Sequence, residues 1–244
     1  AQSAREPYGA RAIIYCLLLN KETQPRTYQL KRLAEHADPA VYTETIKLMG
    51  KTENINPETR LPLIDIAIGS LKQLSAGQYS AFTANVDNLM RADKQIDLFE
   101  YTIQKMISRN LEPVFTNPKP APVQYYDMQA LKASCTDLLS CLAHWGGSNS
   151  KEAESAFASG INKLNLTPQP SILSKDKCGL QIVDEALIKI NESSPALKKM
   201  VITAAVSCIG ADGKVTIEEA ELLRAISDSL GCPMPPFLRT NKAA

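Results

Sequence analysis

Carboxylate side chains recur with the same spacing at two places in this sequence, and carboxylate oxygens are the ligands that hard divalent cations prefer. Residues 89–107 read LMRADKQIDLFEYTIQKMI, and residues 208–226 read CIGADGKVTIEEAELLRAI. The candidate metal-ligating residues are Asp93, Asp97, Glu100, Asp212, Glu218 and Glu219. The chemistry that these acidic loops predict is the weak binding of a divalent cation, without redox or covalent steps.

The second acidic loop has part of the pattern of a calcium-binding helix-loop-helix. With Asp212 on the fifth loop position, Gly213 falls on the glycine and Glu219 on the bidentate glutamate. The first and third positions become Cys208 and Gly210, which supply no carboxylate oxygens. The sequence therefore disfavours a calcium site of that type.

Helix capping explains the same spacing without a metal. Asp97 and Glu100, like Thr216 and Glu219, stand three residues apart before an apolar helical stripe, which is the spacing of a capping box. Asp212 is of the type that holds a tight turn through its side chain. Capping is the favoured interpretation of these residues, and cation binding stays open beside it.

Residues that could carry out catalysis are few. The chain has two histidines, His36 and His144, and contains neither a GxSxG nor an HExxH motif. Its six cysteines form no CxxC pair, which is typical of reduced, buried thiols and not of a zinc cluster. We therefore expect no enzyme activity and no cofactor in this chain itself.

Bulk composition narrows the class of protein further. The chain has 244 residues, 44% hydrophobic content and a net charge of +1, which fits one large or two small globular domains. Interleaved charges argue against a nucleic-acid partner. No apolar run approaches the roughly 20 residues of a membrane span. The chain opens AQSAREPYGA, without a methionine or a recognisable signal peptide, so we expect a fragment or a processed form.

Apolar residues recur with the helical period throughout, so the predicted fold is all-α with about eleven helices. Three helix starts are marked by Asp38-Pro39, by Asn56-Pro57 and by Ser194-Pro195, where a capping side chain precedes a proline. Ser75 with Gln78 forms a further capping box, and Gly231 is placed to end the last helix.

Because the acidic unit is repeated, we expect two pseudo-symmetric lobes, at residues 1–112 and 127–244. Between them, residues 113–126 hold four prolines and predict an extended connector that is not helical. After the last helix, the tail CPMPPFL either packs back on the body or offers Met234, Phe237 and Leu238 to a partner.

Two resemblances to known families follow from these motifs. The unit ADGKVTIEEAELL with its preceding helix resembles the TerB-like superfamily of small helical domains, named for tellurite-resistance proteins, whose acidic loop has been linked to metal ions. Lys94 replaces the glycine in the first copy. A wider, collinear resemblance runs from EPYGARAIIYCLLL through LPLIDIAIGSLKQLSAGQYSAF to the CPMPP tail. It is to the C-terminal region of bacterial membrane-bound zinc metallopeptidases, HtpX-like relatives of the CAAX-prenyl endopeptidase (family forty-eight).

The wider resemblance implies a non-catalytic module at the C-terminus of a membrane-associated hydrolase, on the cytoplasmic face of the bacterial inner membrane. Its expected work is substrate recruitment, partner docking or gating. Its expected partners are the catalytic and membrane domains of the parent protease, together with protein substrates or adaptors. The zinc of such an enzyme belongs to the catalytic domain, and no zinc ligand can be assigned in this chain. The alternative is a free-standing, TerB-like, metal-responsive stress protein.

Overall fold

A computed structural model of the chain describes residues 2–92, 97–117 and 122–233. Across these ranges the protein is all-α, with eleven α-helices and no strand, as predicted. The helices are α1 (Pro7–Leu18), α2 (Thr23–His36), α3 (Pro39–Thr52), α4 (Arg60–Leu71), α5 (Ala76–Met90), α6 (Leu98–Phe115), α7 (Lys132–Gly146), α8 (Ser150–Ile161), α9 (Leu180–Asn191), α10 (Pro195–Ile209) and α11 (Ile217–Leu230). No helix in the described ranges is long and apolar enough to cross a lipid bilayer.

The chain divides into two compact units, Ala1–Pro118 and Lys119–Ala244, which we call unit 1 and unit 2. Unit 1 contains α1 to α6, and unit 2 contains α7 to α11. The division falls inside the segment 113–126 that the sequence predicts to be a connector.

The prediction of a non-helical connector is wrong at its beginning, because α6 continues through Pro113 to Phe115. A proline inside a helix removes one backbone hydrogen bond and costs about 3 kcal/mol. Side chains that pack before and after Pro113 in the same helix offset this cost. Leu111 is fully buried, and the ring of Phe115 stacks on Tyr79 with 4.3 Å between ring centroids. The described part of the segment after the gap, residues 122–126, is free of helix.

Most helix starts that the sequence marks are observed. The side chain of Asp38 accepts a hydrogen bond from the backbone N–H of Ala40, and Ser194 caps α10. Ser75 and Gln78 form the predicted capping box. Asn56-Pro57 differs, since it opens a short 3-10 turn, Pro57–Thr59, and α4 begins only after that turn.

Helix α1 lies at the centre of unit 1, where it packs against α3, α4 and α5. A buried glutamine joins three of the surrounding segments. The side-chain Nε2 of Gln29 donates to the carbonyl oxygens of Leu18 (3.0 Å) and Leu89 (2.9 Å), and its Oε1 accepts from the N–H of Asn20 (2.7 Å). Gln29 is only 2% exposed, so these bonds fix where α1, α2 and α5 meet.

Helix α7 holds the equivalent place in unit 2, where it packs against α8, α9 and α10. Gly160 lets α8 approach α10 closely, because a Cβ at this position would lie 2.9 Å from the carbonyl oxygen of Ala204. The last helix of each unit also packs alike: α6 contacts α4 and α5, and α11 contacts α9 and α10. The expectation of two pseudo-symmetric lobes stays a prediction, and unit 1 has one α-helix more than unit 2.

Candidate functional site

The second acidic loop ends α10 with the short 3-10 turn Gly210–Asp212, followed by Gly213 in a left-handed conformation with φ of 77°. Such a φ favours glycine. Asp212 Oδ1 accepts from the N–H of Lys214 at 2.9 Å, which is the turn-holding role expected of this aspartate. Asp212 and Glu218 are both exposed.

The predicted capping box at the start of α11 is confirmed. The N–H of Glu219 donates to Thr216 Oγ1 at 3.2 Å, and the N–H of Thr216 donates to Glu219 Oε2 at 2.8 Å. Glu219 is 7% exposed, unlike a glutamate on an open helix start. Its carboxylate reaches the end of α7, because a Cβ built on Gly146 would lie 3.2 Å from Glu219 Cδ and would overlap Oε1. A glycine at the end of α7 therefore makes room for this carboxylate.

The first acidic loop repeats the capping arrangement at α6. The N–H of Glu100 donates to Asp97 Oδ1 at 2.8 Å, and the N–H of Asp97 donates to Glu100 Oε2 at 3.1 Å. Glu100 is 9% exposed, so both capping-box glutamates are buried. Asp93, which the sequence places in the same candidate metal site, lies outside the described residues, as do Met234, Phe237 and Leu238 of the tail.

Each buried glutamate borders a cavity at the C-terminal end of the first helix of its unit. In unit 1, Glu100 lines a cleft of about 740 Å³ beside the end of α1, which we call the α1-end cleft. In unit 2, Glu219 lines a cavity of about 80 Å³ beside the end of α7. The two sites therefore share a position in the fold and differ greatly in size.

A buried cysteine also lines each cavity. Burial raises the pKa of Cys16 in unit 1 to about 11 and that of Cys208 in unit 2 to about 12, and the Glu219 carboxylate acts on Cys208 in the same direction. Both thiols therefore stay protonated near neutral pH, and neither is activated as a nucleophile or as a thiolate ligand. The Cys16 thiol donates a hydrogen bond to the carbonyl oxygen of Thr45, with 3.3 Å between sulfur and oxygen.

The α1-end cleft is lined by positively charged, negatively charged and apolar side chains. Its cations are Lys21, Arg26 and Arg60; its carboxylates are Glu22, Glu53, Asp97 and Glu100; and its apolar side chains include Leu17, Leu19 and Phe99. The guanidinium of Arg26 bonds to the Glu53 carboxylate and to the carbonyl of Lys21. The guanidinium of Arg60 lies 5.1 Å from the centroid of the Phe99 ring. Such a surface suits a peptide with mixed charge and apolar side chains better than a polymer of one sign.

Metal binding by the acidic loops stays a prediction. Among the described residues, no group of three or more histidine, cysteine, aspartate or glutamate side chains is arranged to hold a metal ion. The two histidines lie apart from both sites: His144 Nε2 is 2.7 Å from the carbonyl oxygen of Leu173, and His36 lies 3.8 Å from the Glu35 carboxylate.

Sequence reasoning found the capping residues, because a three-residue spacing between two polar side chains is local. It missed the α1-end cleft, whose lining comes from α1, α2, α3, α4 and α6 and whose formation depends on how these helices pack. The contact between Gly146 and Glu219 also had no local signal. No protein-family model matches this chain, and no curated protein or solved structure matches it either.

Proposed function

We propose that this chain is a non-catalytic interaction domain that serves a membrane-bound zinc metallopeptidase, and that the α1-end cleft of unit 1 receives a segment of a protein substrate or adaptor. The observation that carries this proposal is the cleft itself. Its volume of about 740 Å³ falls in the range of binding sites, and it combines apolar and charged groups of both signs.

Preorganisation of the cleft supports the same role. Arg26 is held by Glu53 and by the carbonyl of Lys21, and Arg60 lies over the ring of Phe99. Side chains fixed in this way lose less conformational entropy when a ligand binds, which favours affinity. An extended segment with carboxylate and amine groups can pair with these residues while its apolar side chains contact Leu17 and Leu19.

The parent protease enters the proposal through the collinear resemblance described above. Its catalytic zinc and its membrane spans belong to regions other than this chain. A position on the cytoplasmic face of the inner membrane is supported by five cysteines that are free thiols: Cys16, Cys135, Cys141, Cys178 and Cys208. Several free thiols in one chain are typical of a reducing compartment such as the cytosol.

The experiment uses the complete protein in which this chain occurs. The reading frame upstream of Ala1 is first determined; membrane spans and an HExxH motif in that frame are expected, and a start codon directly before Ala1 would overturn the proposal. In the complete protease, Arg60→Glu is then compared with Lys72→Glu, an exposed cation of unit 1 outside the cleft.

We expect Arg60→Glu to lower kcat/KM for a protein substrate by about tenfold, the effect of losing one charge-assisted contact, and to leave cleavage of a short fluorogenic peptide unchanged. Lys72→Glu should change neither rate. If the complete protease without residues 1–244 keeps its substrate choice, turnover and assembly, the chain has no such role.

A further inference from the structure

Two cysteines of unit 2 have their thiol groups in contact: Cys141 lies in α7, and Cys178 stands two residues before the start of α9. A hydrogen bond joins these thiols and favours the ionised form of Cys178 over that of Cys141. The buried thiols of Cys16, Cys135 and Cys208 contact a carbonyl oxygen or a methionine sulfur instead. The pair forms no CxxC motif, so its proximity depends on the fold.

Residues 165–179, which we call the α8–α9 loop, are tied to α7 on both sides of Cys141. The N–H of Leu173 donates to Ser140 Oγ at 3.0 Å, and the carbonyl oxygen of Leu173 lies 2.7 Å from His144 Nε2. Ser140 precedes Cys141 in α7, and His144 follows it by less than one turn. The loop is therefore held against this part of α7 without any covalent bond.

The residues next to Cys178 fix its position further. The N–H of Gly179 donates to Cys141 Sγ, so two consecutive residues of the loop contact the same sulfur of α7. Cys178 Sγ lies 3.7 Å from the carbonyl oxygen of Ser174 within the loop. Bond formation between hydrogen-bonded thiols requires a sulfur displacement of roughly 2 Å, which is within the reach of side-chain rotation.

The two thiols differ in exposure, and this difference assigns their order in an exchange reaction. Cys141 is fully buried, whereas Cys178 is partly exposed, so a reagent in solution reaches Cys178 first. Burial raises the pKa of Cys141 to about 12 and also raises the pKa of Cys178, which the hydrogen bond from Cys141 opposes. Both thiols are therefore mostly protonated near neutral pH, and exchange is slow there.

We propose that Cys141 and Cys178 are the site of a reversible disulfide, which a small-molecule disulfide introduces by thiol–disulfide exchange. The Cys178 thiol loses its proton to solvent, and the thiolate attacks one sulfur of the reagent and releases one thiolate. The Cys141 thiolate, formed in the same way, then attacks Cys178 Sγ in the mixed disulfide and releases the second. Each released thiolate takes up one proton, so two protein thiols are oxidised while the reagent is reduced to two thiols.

The disulfide joins the α8–α9 loop covalently to α7 and closes the chain between residues 141 and 178. Such a link restricts the unfolded chain, so the oxidised form resists unfolding better than the dithiol. In a reducing compartment the pair stays a dithiol, and the link forms only while small-molecule disulfides accumulate. Neither thiol lines the α1-end cleft, so this inference and the proposed docking role can fail independently.

The test incubates the full, natively folded chain with excess oxidised glutathione at pH 8, followed by alkylation and trypsin digestion without reductant. Mass spectrometry detects the link between peptide 133–151 and peptide 178–189, and fragment ions distinguish Cys141 from Cys135 in the first peptide. Cys178→Ser is the main variant, because this side chain is partly exposed and its replacement leaves the core intact. Cys232→Ser is the matched control, since Cys232 is also a partly exposed cysteine of unit 2.

We expect the wild type and Cys232→Ser to form the Cys141–Cys178 link, and dithiothreitol to reverse it. Cys178→Ser should form no such link. Oxidation should raise the thermal unfolding midpoint of the wild type by about 5 °C or more and leave that of Cys178→Ser unchanged. A lasting glutathione adduct on Cys178 beside unmodified Cys141, a link that forms only in guanidinium chloride, or an unchanged midpoint of the linked wild type would each overturn the proposal.

Discussion

Replacing Gly146 by alanine tests whether the end of α7 is shaped by the buried carboxylate of Glu219. The added Cβ would overlap Glu219 Oε1 and lie 3.2 Å from Cδ. The carboxylate can move only by giving up the 2.8 Å bond that it accepts from the N–H of Thr216. At 7% exposure it is shielded from bulk solvent, and the space open to it is the cavity of about 80 Å³ that it lines.

The expected cost follows from that bond. Losing a capping interaction destabilises a protein by about 1–2 kcal/mol. Alanine returns at most about 1 kcal/mol of helix propensity, and less at a helix end. We therefore expect Gly146→Ala to lower the free energy of unfolding by about 1 kcal/mol. In a Glu219→Ala background the obstacle is gone, and the same change should be neutral or stabilise by about 0.5 kcal/mol.

The assay is a double-mutant cycle on equilibrium unfolding in guanidinium chloride. Trp145, the sole tryptophan of the chain, lies in unit 2 beside the altered residue, and its fluorescence reports the unfolding of this part of the protein. The coupling free energy between the two positions should be about 1–2 kcal/mol. An equal effect of Gly146→Ala in both backgrounds would show that the carboxylate does not lie against Gly146.

Two further predictions concern packing and thiol chemistry. Gly160→Ala should destabilise unit 2 by about 1–3 kcal/mol through overpacking, because its Cβ would lie 2.9 Å from a backbone oxygen of α10. Gly50→Ala, whose Cβ would meet nothing within 4 Å, should stabilise by about 0.5–1 kcal/mol, and thermal unfolding of both variants checks the contrast. Burial raises the pKa of the Cys208 thiol from 9.0 to about 12, so the folded protein holds this proton more tightly than the unfolded chain. Its contribution to stability is complete below pH 9 and is lost as pH rises through about 12. Accordingly, iodoacetamide at pH 8 should modify the partly exposed Cys178 in the native protein, but Cys208 only after unfolding. Mass spectrometry of the peptides measures how much of each cysteine is modified. Equal modification of both cysteines in the native protein would contradict the burial of Cys208.

Local features of the sequence predicted the fold class and the helix ends. The capping boxes at Asp97 and Thr216 and the glycine stop at Gly231 each depend on residues within one turn, so their spacing is sufficient to identify them. Pro113 shows the limit of such reasoning, because the packing of distant side chains outweighs its local preference against a helix.

The α1-end cleft could not be predicted for a related reason. Cys16, Arg26 and Phe99 are far apart in the sequence, and only the folding of unit 1 brings them to one cavity. The role of Glu219 was found, but its burial against α7 was not, since it depends on a glycine in another helix.

The buried amide of Gln29 has a consequence for how unit 1 assembles. Two of its partners, Leu18 and Asn20, are near it in the chain, but the third, Leu89, is 60 residues away. Helix α2 packs more on α5 than on α3, so this side of the amide is open to water until α5 docks. When α5 docks, the bond to the carbonyl oxygen of Leu89 has to form as the water leaves, because a buried amide with one unsatisfied donor costs about 1–3 kcal/mol. Gln29 thereby disfavours arrangements in which α5 is shifted along α2, and it selects the observed register of the two helices.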